Sequence, residues 1–113
     1  MVESKANAPA ESKRYIKYRL YPTYYLNMNS ETKEFELEVH LPGVKKENVN
    51  IKFLEDMFNI EADQSETRFY CLTESLPFLV NVNSIKANYE NGLLRITGSI
   101  KNPLDEAVDV KIE

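Results

Sequence analysis

The sequence predicts an all-β protein, an antiparallel β-sandwich. Three observations carry that expectation: apolar residues alternate with polar ones in short runs, Pro and Gly punctuate the runs, and almost no helical periodicity lies between them. A chain of 113 residues is of the size that one core absorbs, roughly 100–150 residues, so a single domain is expected.

The cleanest run is EFELEVHL. Phe35, Leu37, Val39 and Leu41 alternate with Glu34, Glu36, Glu38 and His40, the pattern of a strand that buries one face and wets the other. Pro42-Gly43 ends it, because proline supplies no ladder donor and glycine admits turn dihedrals. Val49, Ile51 and Phe53 repeat the alternation, followed by Phe58 and Ile60 and by a β-prone run over residues 68–73. Beyond Pro77, Ile85, Ala87 and Tyr89 share one face, and Glu90-Asn91-Gly92 leads into Leu94, Ile96 and Gly98. Asn-Gly between alternating runs is the strongest short-range hairpin signal, since both residues tolerate positive φ.

The flanks differ in character. Residues 1–12 are small, polar and charged without periodicity, and read as a disordered lead. In KRYIKYRLYPTYYL, five of the chain's seven tyrosines fall within eleven positions, among basic residues. Two readings stand for this stretch. Ile16 and Leu20 lie one helical turn apart beside Tyr15 and Tyr18, which suits a short amphipathic helix ending before Pro22; equally, the aromatics could complete the edge of the following domain. The expected divisions are an N-terminal arm over 1–23, tyrosine-rich from 15, a sandwich over 24–101, and a C-terminal extension over 102–113 ending in the alternating Val108, Val110 and Ile112.

Composition excludes several functions. The 14 basic and 18 acidic residues give a net charge of −4 without a basic block, so no nucleic-acid partner is expected, because backbone binding needs a positive stripe. No apolar run approaches the roughly 20 residues of a membrane span and the N-terminus lacks a signal-like apolar core, so a cytoplasmic protein with no membrane partner is expected. Cys71 is the only cysteine, which rules out an internal disulfide and points to a small packed residue rather than a reactive thiol. His40, the only histidine, falls at a strand end on the polar face, a poor place for a nucleophilic pair. The row Glu34, Glu36 and Glu38 reads as a solvated exterior. With three glycines and no glycine cluster, no phosphate cradle exists. No enzyme activity, cofactor or metal is expected.

A family resemblance enters with the hairpin. The segment IKANYENGLLRI at residues 85–96 closely resembles the signature hairpin of the α-crystallin domain, the immunoglobulin-like sandwich of small heat-shock proteins. Leu41-Pro42-Gly43-Val44, followed by Lys-Lys-Glu-Asn-Val, and Leu76-Pro77 resemble two further family motifs in the same order. Val110-Lys111-Ile112 is similar to the C-terminal Ile/Val-x-Ile/Val motif that, in this family, inserts into a groove of a neighbouring protomer; Val108-Asp109-Val110 offers an alternative register, and pairing of the tail within its own domain is a third reading. The resemblance implies a groove lined by Val49, Ile51 and Phe53 on one strand and Ile85, Ala87 and Tyr89 on another. It also implies an ATP-independent holdase that forms homo-oligomers, dimers or larger, and captures unfolded clients through apolar surface. Tyr15, Ile16, Tyr18, Leu20, Tyr21 and Tyr24 are the expected client-binding residues.

Two departures from the family pattern stand out. Residues 63–67 are too short a link to carry the strand that many members exchange between partners, given at most about 3.6 Å per residue, so a tight hairpin is expected there. The family's Phe-x-Arg-x-Phe ahead of Leu-Pro is represented by Tyr70, Leu72 and Glu74, with leucine in place of arginine. Both departures are similar to the CS domain of co-chaperones, which makes an adaptor that docks on a larger chaperone the alternative function.

Overall fold

The computed structural model describes residues 17–113. Eight strands are present among them: β1 (Tyr18–Leu20), β2 (Tyr24–Asn29), β3 (Glu34–His40), β4 (Val49–Leu54), β5 (Met57–Asp63), β6 (Arg68–Ser75), β7 (Lys86–Glu90) and β8 (Leu93–Ser99). They form two four-stranded sheets, ordered β1-β6-β5-β4 and β2-β3-β8-β7. Every pairing is antiparallel except that of β1 with β6. The expected all-β, immunoglobulin-like sandwich is what the chain adopts.

Alternation explains the packing. In β3, Phe35, Leu37 and Val39 are buried, and they oppose Gly98, Ile96 and Leu94 of β8 on the same face. In the other sheet, Phe58, Ile60 and Ala62 of β5 oppose Glu74, Leu72 and Tyr70 of β6, and Leu72 and Tyr70 join the core with Leu76 and Val80. Residues directly opposite across a ladder share a face, so these rows build the dry layer between sheets packed about 10 Å apart. No polar or charged residue is buried among the described residues. The outer row of β3 is solvated as expected: the Arg95 guanidinium lies 3.3 Å from the Glu38 carboxylate and 3.6 Å from that of Glu36. His40 is exposed with its ring edge-on to Tyr25, and Cys71 is half-buried.

The turns follow their residue types. Asn91 (φ 52°) and Gly92 (φ 81°) supply the two positive φ angles of the β7–β8 hairpin. Residues 64–67 close the β5–β6 hairpin, with the Gln64 and Ser65 amides both donating to the Arg68 carbonyl at 2.9 and 3.1 Å. The tight connection expected there is present, and it holds no further strand.

Of the two readings of the aromatic segment, edge completion is the one the chain adopts. Tyr18 and Leu20 do not lie on an amphipathic helix: they belong to β1, paired in parallel with Arg68 and Tyr70 of β6, so the sheet begins inside the segment expected to be an arm. Leu20 is half-buried against the core and Pro22 is buried, so edge completion outcompetes the local helical period. Tyr15 and Ile16, and the lead over 1–12, lie outside the described residues.

Candidate docking site: an open seam and an apolar tail

Inward-facing positions are not equally covered. Along β4, Val49, Ile51 and Phe53 oppose Ala62, Ile60 and Phe58 of β5 and so face the interior, yet all three remain partly exposed while their partners are buried. β7 repeats this on the other sheet. Ala87 and Tyr89 oppose the buried Ile96 and Leu94, but Tyr89 is half-buried and Ala87 is exposed. β4 and β7 are edge strands, so each inward row lacks a neighbour on one side. Inward apolar positions of both edge strands are therefore left partly open, which leaves a seam along the sandwich edge.

Contacts at its two ends connect the sheets. At one end the Phe53 ring lies 6.2 Å from Phe35 of β3, and Phe35 also lies 5.7 Å from Phe78. A glycine fits here: a Cβ on Gly98 would stand 2.8 Å from Phe35 and 3.1 Å from Ile85, so a larger residue would force those side chains to shift. An apolar cleft of about 550 Å³, lined by Phe53, Leu54, Met57 and Phe58 with Lys52 and Asn59, opens at this end. At the other end the Tyr89 hydroxyl donates toward the carbonyls of Val44 (2.7 Å) and Leu41 (3.0 Å), tying β7 to the turn that feeds β4. Burial, with the nearby Tyr70 hydroxyl adding to it, pushes the Tyr89 hydroxyl above its ordinary pKa.

The tail is anchored close to this seam and then leaves it. The Lys101 amide donates to the Leu79 carbonyl at 2.7 Å, and its ammonium sits 2.9 Å from Glu55, at the β4–β5 turn. Asn102 caps the next turn by accepting from the Leu104 amide, and Asp105 and Ala107 continue it with bonds to the carbonyls of Asn102 and Leu104. Val108, Val110 and Ile112 follow at 82%, 87% and 96% exposure, with no strand assigned to them. The reading in which the tail pairs within its own domain is not what the chain adopts.

The aromatic segment divides. Tyr18 and Tyr21 are exposed, with the Arg19 guanidinium 4.7 Å over the Tyr21 ring. Leu20 and Tyr24 instead pack on the core, Tyr24 edge-on to Phe58 at 6.3 Å. Sequence reasoning passed over Tyr25, Met28 and Leu54, all exposed. Period two already turns Tyr25 and Leu54 to the outer face, whereas Met28 is open because β2 is an edge strand, which only the strand order shows. Among the described residues no group of acidic, histidine or cysteine side chains is placed to hold a metal, and no helix is long and apolar enough to cross a membrane.

Comparison with known proteins agrees with this architecture. Residues 27–113 match the Hsp20/alpha crystallin family. Small heat shock protein C4 of Rickettsia felis is 28% identical over 114 residues, covering 80% of this chain and 68% of that protein. The mitochondrial small heat shock protein hspI of Dictyostelium discoideum is 34% identical over 89 residues, covering 62% of this chain and 40% of that protein. Among solved structures, heat shock protein 16.0 of Schizosaccharomyces pombe superposes with a TM-score of 0.65 at 24% identity, covering 84% of this chain and 77% of that one. HSP18.5 of E. histolytica gives a TM-score of 0.65 at 15% identity, covering 82% and 99%. With its sandwich, its Asn-Gly hairpin and a family match that takes in most of its length, this chain belongs to the Hsp20/α-crystallin family of small heat-shock chaperones.

Proposed function

We propose that the protein is an ATP-independent holdase that assembles by docking the C-terminal tail of one copy into the β4/β7 seam of another. The observation that carries this reading is the match between two unsatisfied surfaces. Val108, Val110 and Ile112 repeat with period two and stand exposed, and Val49, Ile51 and Phe53 repeat with period two and face an uncovered interior. An extended tail laid along β4 gains edge hydrogen bonds as well as apolar cover. Burying each branched side chain contributes roughly 1.5–3 kcal/mol before the cost of ordering the tail is subtracted. Both tail registers remain compatible, since the seam offers three apolar positions in a row.

Clients would be held by apolar surface that a destabilised protein otherwise offers to its own kind. Tyr18 and Tyr21 on the exposed N-terminal side, with Tyr15 and Ile16 upstream, are the proposed contacts, while Leu20 and Tyr24 support them from the core edge. No catalytic step, cofactor, nucleic acid or membrane enters this function, and a cytoplasmic location suits it. The test is aggregation of a heat-labile enzyme followed by light scattering with the chain added in stoichiometric amounts. Suppression without nucleotide is the expected result; unchanged aggregation at excess would overturn the holdase reading. The closed hairpin at 63–67 and Leu72 in place of the family arginine favour a CS-like adaptor, and a chain that stays strictly monomeric and suppresses nothing would support that alternative.

A further inference from the structure

The sandwich has four edge strands, and three of them carry charge. β1 has Arg19, β4 has Lys52, and β7 has Lys86 and Glu90. Charges on an edge are a common defence against unwanted strand pairing. β2, with the sequence YYLNMN, has neither charge nor proline, and exposes Tyr25 and Met28 at 55% and 54%. This undefended edge also carries free backbone groups, since β2 pairs only with β3. The His40 amide donates to the Thr23 carbonyl at 2.9 Å, which makes Thr23 and His40 a hydrogen-bonded pair of the β2–β3 ladder. Alternation then turns the amides and carbonyls of Tyr25, Asn27 and Asn29 toward β3, and those of Tyr24, Leu26 and Met28 outward.

We propose that β2 is a two-fold interface at which the Tyr24–Asn29 strands of two copies pair antiparallel about Leu26, joining their sheets edge to edge. The register is fixed by the free groups. Leu26 opposes Leu26 of the second copy, Tyr24 opposes Met28 and Met28 opposes Tyr24, so every outward amide meets an outward carbonyl. In this register inward residues meet inward residues, and Tyr25 meets Asn27 on the outer face, as a pleated sheet demands. A shift by one residue would break both conditions. The occupant is a second copy because the strand is self-complementary and holds no charge to repel its own image. In the nearest acidic row, on β3, Glu36 and Glu38 are paired with Arg95, while Glu34 lies at the strand end opposite Asn29. Across the interface the two β3 strands stand three strand spacings apart, about 14 Å, beyond the Debye length of about 8 Å at physiological salt. No other described segment competes for this edge: residues 64–67 are closed on themselves by bonds to Arg68, and the tail emerges at the β4–β5 turn. The inference does not depend on what the β4/β7 seam binds.

The test is disulfide trapping in the full-length chain with Cys71→Ser as background. Tyr25→Cys and Asn27→Cys are prepared separately and oxidised alone and as a mixture. As a non-hydrogen-bonded pair, positions 25 and 27 of opposite copies bring their Cα atoms to about 4.5 Å, within disulfide range. Covalent dimer should form in the mixture and not in either variant alone, since like positions are offset by two residues. Equal cross-linking in all three samples, or none in the mixture, would overturn the register. A second variant, Met28→Pro, removes an outward amide while leaving the β2–β3 ladder intact. It should keep the circular dichroism of the parent and weaken dimerisation at least tenfold by sedimentation; unchanged dimerisation, or strand capture by an added client in place of a second copy, would overturn the proposal.

Discussion

Ile51 and Ile60 are the same residue, placed directly opposite each other on neighbouring strands and turned to the same face. Ile60 is fully buried on β5, while Ile51 on the edge strand β4 is partly open. Phe58 against Phe53, and Leu94 against Tyr89, repeat the contrast. Period two decides which face a side chain takes, but position in the sheet decides whether anything covers it. A sandwich built this way keeps its closed core in the central strands and leaves apolar surface uncovered along its edges.

Truncations should separate those two roles. Ile60→Ala removes side-chain volume from a closed core and is expected to cost about 2–5 kcal/mol in chemical denaturation, the largest effect of the set. Ile51→Ala should cost about 1 kcal/mol in the isolated domain, because the side chain is already partly solvated. Equal losses at the two positions would mean that the seam is closed in solution. Gly98→Val probes the point where the seam meets the core. Its new side chain collides with Phe35 and Ile85, and overpacking of this kind costs about 1–3 kcal/mol.

Tyr89→Phe should be milder, about 1 kcal/mol, since it removes one hydroxyl shared between the Leu41 and Val44 carbonyls. It also has a pH signature. Because burial raises the Tyr89 pKa, the neutral hydroxyl is favoured in the folded chain; its stabilisation is present below the ordinary value near 10 and is lost as pH rises through the raised value. Denaturation midpoints measured from pH 8 upward should therefore fall more steeply above about pH 10 in the parent than in Tyr89→Phe. Parallel curves would remove Tyr89 as the link between β7 and the β4 turn. Arg95→Ala sits at the small end, within about 0.5 kcal/mol, because its partners Glu36 and Glu38 are on a solvated face.

Local chemistry made much of this fold legible. The β3 alternation, the Asn91-Gly92 turn and the tight 63–67 connection are each written in neighbouring residues, and each stands where the sequence puts it. β1 was not legible. It is three residues long and acquires its conformation from parallel pairing with Arg68, Phe69 and Tyr70, far away in the chain, so a local helical spacing competed with it on paper and lost in the fold. The resemblance implies groove residues on β4 and β7, but the partial exposure of those positions was not legible. Alternation in β4 and β5 looks the same; only the strand order shows that β4 has no neighbour. The anchoring of the tail base by Lys101 on Glu55 was invisible for a similar reason, since the two are brought together by tertiary structure alone.

In the proposed assembly the tail of one copy occupies the open seam of another. Its most direct test is the mass of the full-length chain by size-exclusion chromatography with light scattering, set beside a Val110→Gly/Ile112→Gly variant that leaves the sandwich untouched. Docking predicts that the parent runs as a larger assembly and the variant falls to dimers with unchanged circular dichroism. Identical masses for the two chains would contradict it.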